Sequence, residues 1–200
     1  MTVKQNHPDF EIHDLLRKRW SPLGFSDKKI AKETLCSLFE AARWAPSCFN
    51  EQPWTFLFAT RDEPETYHRF LNCLVEGNQG WAQSAPVLMF SVARLTFSRN
   101  DKPNRHAFHD VGLAVENLVL QAASMDLYVH QMGGFHLDKT RGELHIPSTH
   151  EPVAAMALGY LGSPDDLPEA LKERELQSTP RKALPDFVFQ GDWDGMFITS

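Results

Sequence analysis

Cysteine is scarce in this chain: three in 200 residues, at positions 36, 48 and 73, with no CxxC pair. An odd and scattered set excludes a disulfide framework and fits free thiols in a reducing compartment. A basic surplus is also missing, since 20 Lys and Arg stand against 26 Asp and Glu for a formal net charge of −6. Nucleic-acid binders displace counterions with excess positive charge, so nucleic acid is not an expected partner. Long apolar runs are absent: the best, residues 86–93 and 111–123, are too short or too interrupted to cross a bilayer. The opening MTVKQNHPDFEIHD has neither the apolar core nor the cleavage site of a secretory leader. The expectation is a cytoplasmic protein with no membrane partner. Neither GxGxxG nor GxxxxGK[ST] occurs, which removes the two common glycine-rich phosphate cradles.

What is present is ordinary for a soluble globular domain, with 42% hydrophobic and 23% charged residues. The length suits one domain, 1–200, able to bury about 70% of its unfolded surface without staples. Leu35, Leu38, Phe39 and Ala42 recur at helical spacing and predict a helix over 31–43, stopped by Pro46. The aromatic-rich Trp54–Thr60 reads as a strand, followed by a helix over 65–74 broken at Gly77. Residues 86–93 are almost continuously apolar, as in a strand covered on both faces. Residues 94–105 form a polar loop with four basic residues and one acid. Over 106–125 the pattern is helical with so broad an apolar face that it belongs in a core or a subunit interface. Leu127–Met132 and 152–160 read as strands, joined through Gly134 and a short helix over 138–144. Beyond Gly162 the chain becomes polar and proline-rich, an extended arm over 163–200 suited to wrapping a partner or the domain surface. The fold class is α+β.

Few local constellations carry chemistry. His106 and His109 lie three apart with Asp110 next, but no third ligand follows at a persuasive spacing, and a structural or interface role is the better reading. Cys48 sits in a Pro-Ser-Cys-Phe-Asn turn with no base or cation to activate it, so its thiol reads as inert. Gly133-Gly134 after an apolar strand permits unusual backbone angles and close approach of a flat ligand, or is a plain turn. Arg17-Lys18-Arg19-Trp20-Ser21 and Arg181-Lys182 are two basic clusters. Each is a solvated face taken alone; together they offer the guanidinium forks and hydroxyl that suit a phosphate.

These pieces match a family in order along nearly the whole chain. Arg19-Trp-Ser21-Pro-Leu-Gly-Phe25, followed by Ala45-Pro-Ser-Cys-Phe-Asn50-Glu-Gln52-Pro-Trp54, resembles the FMN-dependent nitroreductase family. The match continues in Gly77-Asn78-Gln79-Gly80-Trp81, His109-Asp-Val-Gly-Leu-Ala114, His130-Gln-Met-Gly-Gly-Phe135 and Pro180-Arg-Lys-Ala-Leu184. The resemblance implies a homodimer with a central, mostly antiparallel sheet flanked by helices and a C-terminal arm reaching over the partner. FMN would lie in each of two interface clefts. NADH or NADPH would give hydride to flavin N5 in a ping-pong cycle, and a nitroaromatic, quinone or similar flat small-molecule acceptor would take it. The flavin carries the chemistry, so no catalytic side chain and no metal is implied. Arg19 and Ser21, with Arg17 and Trp20 beside them, would hold the phosphate end, closed by Arg181 or Lys182. Pro46, Ser47, Cys48 and Asn50 would approach the flavin from the other chain. Asn78 would bond the pyrimidine edge, and Met132, Gly133 and Gly134 would pass the central ring with a backbone N–H toward N5. Trp44, Phe49 and Trp81 are candidate cleft walls, and loop 94–105 a candidate substrate lid.

The resemblance breaks at two places. Relatives often carry a cation where Leu23 stands, and some carry a lysine where Trp81 stands. Losing both implies a lower flavin potential unless Arg17, Lys18 or a backbone dipole substitutes. Two other readings therefore stand beside the first: an FMN enzyme of this fold with another reaction, such as dehalogenation or enoate reduction, and a flavin-binding protein without turnover.

Overall fold

In chain order the computed structural model contains α1 (Asp14–Lys18), α2 (Lys32–Arg43), β1 (Trp54–Thr60), α3 (Pro64–Cys73), α4 (Glu76–Ala82), β2 (Val87–Arg94), α5 (Ala107–Ser124), β3 (Leu127–Met132), α6 (Leu137–Glu143), β4 (His150–Tyr160) and α7 (Glu169–Leu176). Residues 8–177 and 179–195 are described; residues 1–7, Ser178 and the last five residues of the expected arm lie outside them. The strands pair in the order β1-β2-β4-β3, antiparallel throughout. This is the α+β arrangement expected from the sequence, a central antiparallel sheet with helices on both faces.

β2 holds the sheet together because it pairs on both edges and is apolar on both faces. Val87, Met89 and Ala93 face a core shared with α2 and α5, built on Leu35, Leu38, Val111, Ala114, Leu118 and Ala122. Leu88, Phe90 and Val92 face the other core, with Tyr67, Phe70, Leu74, Trp81, Met132 and the incoming Leu23–Phe25 segment. Period-2 alternation thus works in both directions along one strand, which is why it reads as a continuous apolar run. Between Ser91 and Val92 the β2–β4 register slips, Ser91 facing Ala154 and Val92 facing Pro152. A proline has no N–H for the ladder, and such an irregularity is where a sheet tolerates one. Among the described residues no helix is long and apolar enough to cross a membrane.

Three stretches depart from expectation. Gly77 does not break a helix: the chain opens out earlier, at Leu74 and Val75, and Gly77 and Gly80 both lie inside α4. Packing of Trp81 and Ala82 into the core outweighs the poor helix propensity of two glycines. Residues 94–105 are an ordered hairpin rather than a plain loop, closed by the Thr96–Pro103 bridge and by the Phe97 N–H on the Lys102 carbonyl at 2.9 Å. The segment after Gly162 contains α7, whose Glu175 is buried and accepts the Leu23 N–H at 2.7 Å, so the arm begins by folding onto its own domain.

His130 on β3 is fixed from two sides. Its Nδ1–H donates to the Pro22 carbonyl at 2.8 Å, and its ring lies 4.4 Å from that of Trp81. Burial holds His130 below the ordinary histidine value of 6.5, and burial with Arg94 and Arg141 does the same to His150. The unfolded chain therefore takes up protons that the folded chain refuses as pH falls through 6.5, and stability declines in that direction. Urea midpoints should drop between pH 7.5 and 5.5, with a shallower slope in His130→Gln; a midpoint constant over that range contradicts the account.

Candidate functional site

The residues singled out from the sequence gather at three places. The first lies at the C-terminal end of β3. Asn78, on the first turn of α4, donates its Nδ2 to the Gly134 carbonyl at 2.9 Å, and that carbonyl also accepts the Val75 N–H at 3.1 Å. Trp81, one turn on, donates its indole N–H to Asn78 Oδ1 at 3.3 Å. A Cβ on Gly134 would stand 2.6 Å from Asn78 Nδ2 and 3.0 Å from Val75 Cγ2, whereas one on Gly133 meets nothing within 4 Å. Neither glycine has a positive φ. The need is for room at Gly134, and the expectation of unusual backbone angles at the pair is corrected. Met132 turns its side chain into the core, 4% exposed.

At the second place, Arg19, Arg181 and Lys182 line one cavity of about 880 Å³ between the two ends of the chain, with Phe10, Leu16 and Leu184 among its apolar walls. The two basic clusters, some 160 positions apart in sequence, do meet. Arg19 also faces Glu116 of α5, a half-buried carboxyl that burial pushes up and the Arg19 charge pulls back down. Arg17 pairs with Asp14 and Lys18 with Asp126 at 2.6 Å. Trp20 packs edge-on against Tyr128, and Ser21 is exposed. Neither Arg17 nor Ser21 lines the cavity.

The third place is the turn carrying Pro46, Ser47, Cys48 and Asn50. Its Ser47 hydroxyl accepts the Gln52 N–H at 3.0 Å, and Phe49, Asn50 and Gln52 all have positive φ, between 51° and 56°. Three such residues in four positions are strained and need outside support. Asp110 supplies it. The carboxylate, 2% exposed in the first turn of α5, accepts the Cys48 N–H at 3.0 Å and approaches His109 Nδ1 at 3.3 Å. The 94–105 hairpin adds more: the Ser98 N–H donates to Glu51, which holds that carboxyl below the usual range.

Lys18 and Cys48 are anchored at opposite ends of α5, by Asp126 and Asp110. From Asp110 to Ser124 the helix rises roughly 20 Å at 1.5 Å per residue. One chain therefore holds the basic cluster and the 46–50 turn at opposite ends of one helix. Of the aromatic candidates, Trp44 and Phe49 are 74% and 71% exposed, but Trp81 is 2% exposed and belongs to the core rather than to a cleft wall. Leu23, also 2% exposed, points inward beside it. Asp110 is the support of this turn that sequence reasoning missed, its one signal being an acid within the apolar pattern at a helix start.

The chain belongs to the nitroreductase family, whose model matches residues 16–160. A solved structure described as an oxidoreductase containing FMN is 36% identical, covers 98% of this chain and all of its own, and superposes with a TM-score of 0.89. An uncharacterized 15.4 kDa protein of Mycolicibacterium smegmatis is 31% identical over 129 residues, 64% of this chain and 85% of that protein. Nitrobenzene nitroreductase of Ectopseudomonas oleovorans is 24% identical over 204 residues, covering 79% of this chain and 89% of the relative.

Two substitutions test this geometry. Gly134→Ala should lower stability by about 1–3 kcal/mol by pushing Asn78 away, while Gly133→Ala should melt like the unmodified protein; equal effects would remove the close-approach argument. Asp110→Ala, which strips a buried charge-assisted acceptor from Cys48, should cost about 1.5–3 kcal/mol in urea unfolding and Asp110→Asn less. Equal stability of Asp110→Ala and the unmodified chain would show that the turn is held by something else.

Proposed function

We propose that this chain is an FMN-dependent NAD(P)H oxidoreductase that acts as a homodimer, with one flavin in each of two clefts between subunits. The observation that carries this reading is the separation of the half-sites: a phosphate-suited cluster near the C-terminal end of α5, the Asp110-held turn at its N-terminal end. A second copy brings its turn to the first copy's cluster and completes the site twice by symmetry. Exposed Trp44, Phe49 and Phe108 give such an interface apolar surface to bury.

The donor set fits the cofactor. Arg19, Arg181 and Lys182 would neutralise a phosphate dianion through charge-assisted bonds. Asn78, fixed by Gly134 and Trp81, would present its remaining amide valences to the pyrimidine edge. The missing Cβ at Gly134 leaves Asn78 room to hold that position against the main chain. The turn at 46–50 would close the cleft from the partner side and exclude water. When bound, FMN supplies the hydride chemistry. The residues around it position and tune, and donor and acceptor occupy one open cleft in turn, the acceptor being a nitroaromatic, a quinone or a similar flat molecule. Cytoplasmic placement belongs to the same proposal and is supported by the free thiols at Cys36, Cys48 and Cys73.

The burial of Leu23 and Trp81 favours one second reading. No side-chain cation stands at either position, Lys18 is taken by Asp126 and Arg17 by Asp14. A low-potential flavin-binding protein without turnover on nicotinamide donors would carry these features.

The purified protein is expected to be yellow, to bleach under anaerobic NADH or NADPH, and to regain colour on adding a quinone or nitroaromatic. A yellow protein that neither donor bleaches supports the second reading, and one that stays colourless with added FMN refutes both. Arg19→Ala should weaken FMN binding by about 10- to 100-fold, from the loss of a charge-assisted phosphate bond of about 1.5–3 kcal/mol. Unchanged flavin retention would take Arg19 out of the phosphate site.

A further inference from the structure

The segment from Arg19 to Leu23 leads from the first basic cluster into the core, and one of its peptides is pinned on both edges. Pro22 and Leu23 share that peptide. Its carbonyl accepts the Nδ1–H of His130 on β3 at 2.8 Å, and its N–H donates to the buried Glu175 of α7 at 2.7 Å. A peptide is planar, so partners on opposite edges fix its orientation. His130 is itself held: its ring lies 4.4 Å from that of Trp81, whose indole N–H reaches Asn78. A carbonyl can only accept, which places a proton on Nδ1, and burial together with the Arg174 charge disfavours a second proton on the ring. The other end of the segment is fixed as well. The Arg19 N–H closes α1 on the Leu15 carbonyl at 3.0 Å, and Trp20 packs edge-on against Tyr128. Between these anchors Ser21 alone is exposed. Glu175, for its part, stands six positions before Arg181, which with Lys182 lines the same cavity as Arg19.

We propose that His130 and Glu175 are positioning residues for the cofactor phosphate: by pinning the Pro22–Leu23 peptide they hold Arg19 and Ser21 in register with Arg181 and Lys182, and so make the site select a phosphorylated flavin over one without phosphate. This rests on the proposed FMN site and adds to it two residues that act through the main chain. Neither lines the cavity. A guanidinium grips a phosphate through directed N–H bonds, so a small shift of the backbone beneath it breaks bonds instead of weakening all contacts evenly. The pin also places an imidazole and a carboxyl in the interior, where two apolar side chains would pack without the cost of desolvation. What the polar pair supplies in exchange is orientation of one peptide, at the point where the first cluster, β3 and the start of the arm meet.

The test titrates the full-length protein, stripped of flavin, with FMN and with riboflavin, and reads each affinity from the quenching of flavin fluorescence. The unmodified protein should prefer FMN. His130→Phe keeps a ring against Trp81 but has no N–H for Pro22, and should cut the FMN-to-riboflavin affinity ratio about three- to tenfold, the yield of one hydrogen bond. His130→Asn, whose amide N–H reaches where Nδ1 does, should restore most of the ratio. Glu175→Leu frees the same peptide from its other edge and should lower the ratio likewise, which keeps the test open should His130→Phe fail to fold. The double variant should lose little more than either single one, because both release one peptide. Affinities for the two flavins that fall in proportion, with the ratio intact, mean a purely structural role and overturn the proposal. A ratio lost equally in His130→Phe and His130→Asn overturns it too. An unmodified protein that binds riboflavin as tightly as FMN sinks this inference and leaves the flavin cleft standing; one that binds neither flavin sinks both.

Discussion

The packing of α5 against the middle of the sheet sets where everything else can stand. Ala107, Val111, Ala114, Leu118 and Ala122 form one helical face, and three alanines among them let the helix lie close to Val87 and Met89 of β2, Leu127 and Val129 of β3 and Met156 and Leu158 of β4. A helix clamped in this way cannot slide or tilt without opening cavities along its length. It therefore acts as a rigid spacer. One end fixes the turn at 46–50 through Asp110, and the other fixes the first basic cluster through Asp126. The separation that motivates the two-subunit site is a property of this core.

Two buried carboxylates tie segments without regular structure to regular ones: Asp110 ties a turn to a helix, and Glu175 ties the Leu23 segment to α7, while the half-buried Asn78 ties α4 to the segment after β3. Leaving any of these acceptors or donors unpaired would cost more than its bond contributes net, which gives each tie a specificity larger than its stabilisation. The turn with Phe49, Asn50 and Gln52 in the left-handed region is a strained stretch of the candidate site. It is also the stretch braced from two directions, by α5 and by the 94–105 hairpin. Strain held by surrounding structure in this way is a recurrent property of ligand-facing segments.

Much of this was legible in the sequence. The strands Trp54–Thr60 and Leu127–Met132 carry their own bounds, because aromatic and branched residues end against Pro53 and Gly133. The α5 pattern was equally clear, since an apolar face that wide has few places to go. What the sequence hid was hidden for physical reasons. In α4, two glycines mask a helix that tertiary packing of Trp81 maintains. In residues 94–105 the charges outnumber Leu95 and Phe97, although those two residues and the backbone ladder make the hairpin. α7 lies between prolines and has almost no amphipathic pattern; it docks through its buried Glu175 and through Leu171, which packs on the core. The motifs named candidate site residues, but no spacing argument says that Gly134 needs room while Gly133 does not, or that Leu23 and Trp81 point inward.

The central claim is that one chain's Arg19 cluster and another chain's 46–50 turn build each flavin site. Mixed dimers test it most directly, by co-purifying differently tagged Arg19→Ala and Asp110→Ala chains and measuring bound FMN per dimer. The account predicts that each variant alone retains little flavin and that the mixed dimer recovers one FMN, from the intact cluster of one subunit and the intact turn of the other. A mixed dimer no better than its parents would show that each chain builds its site alone.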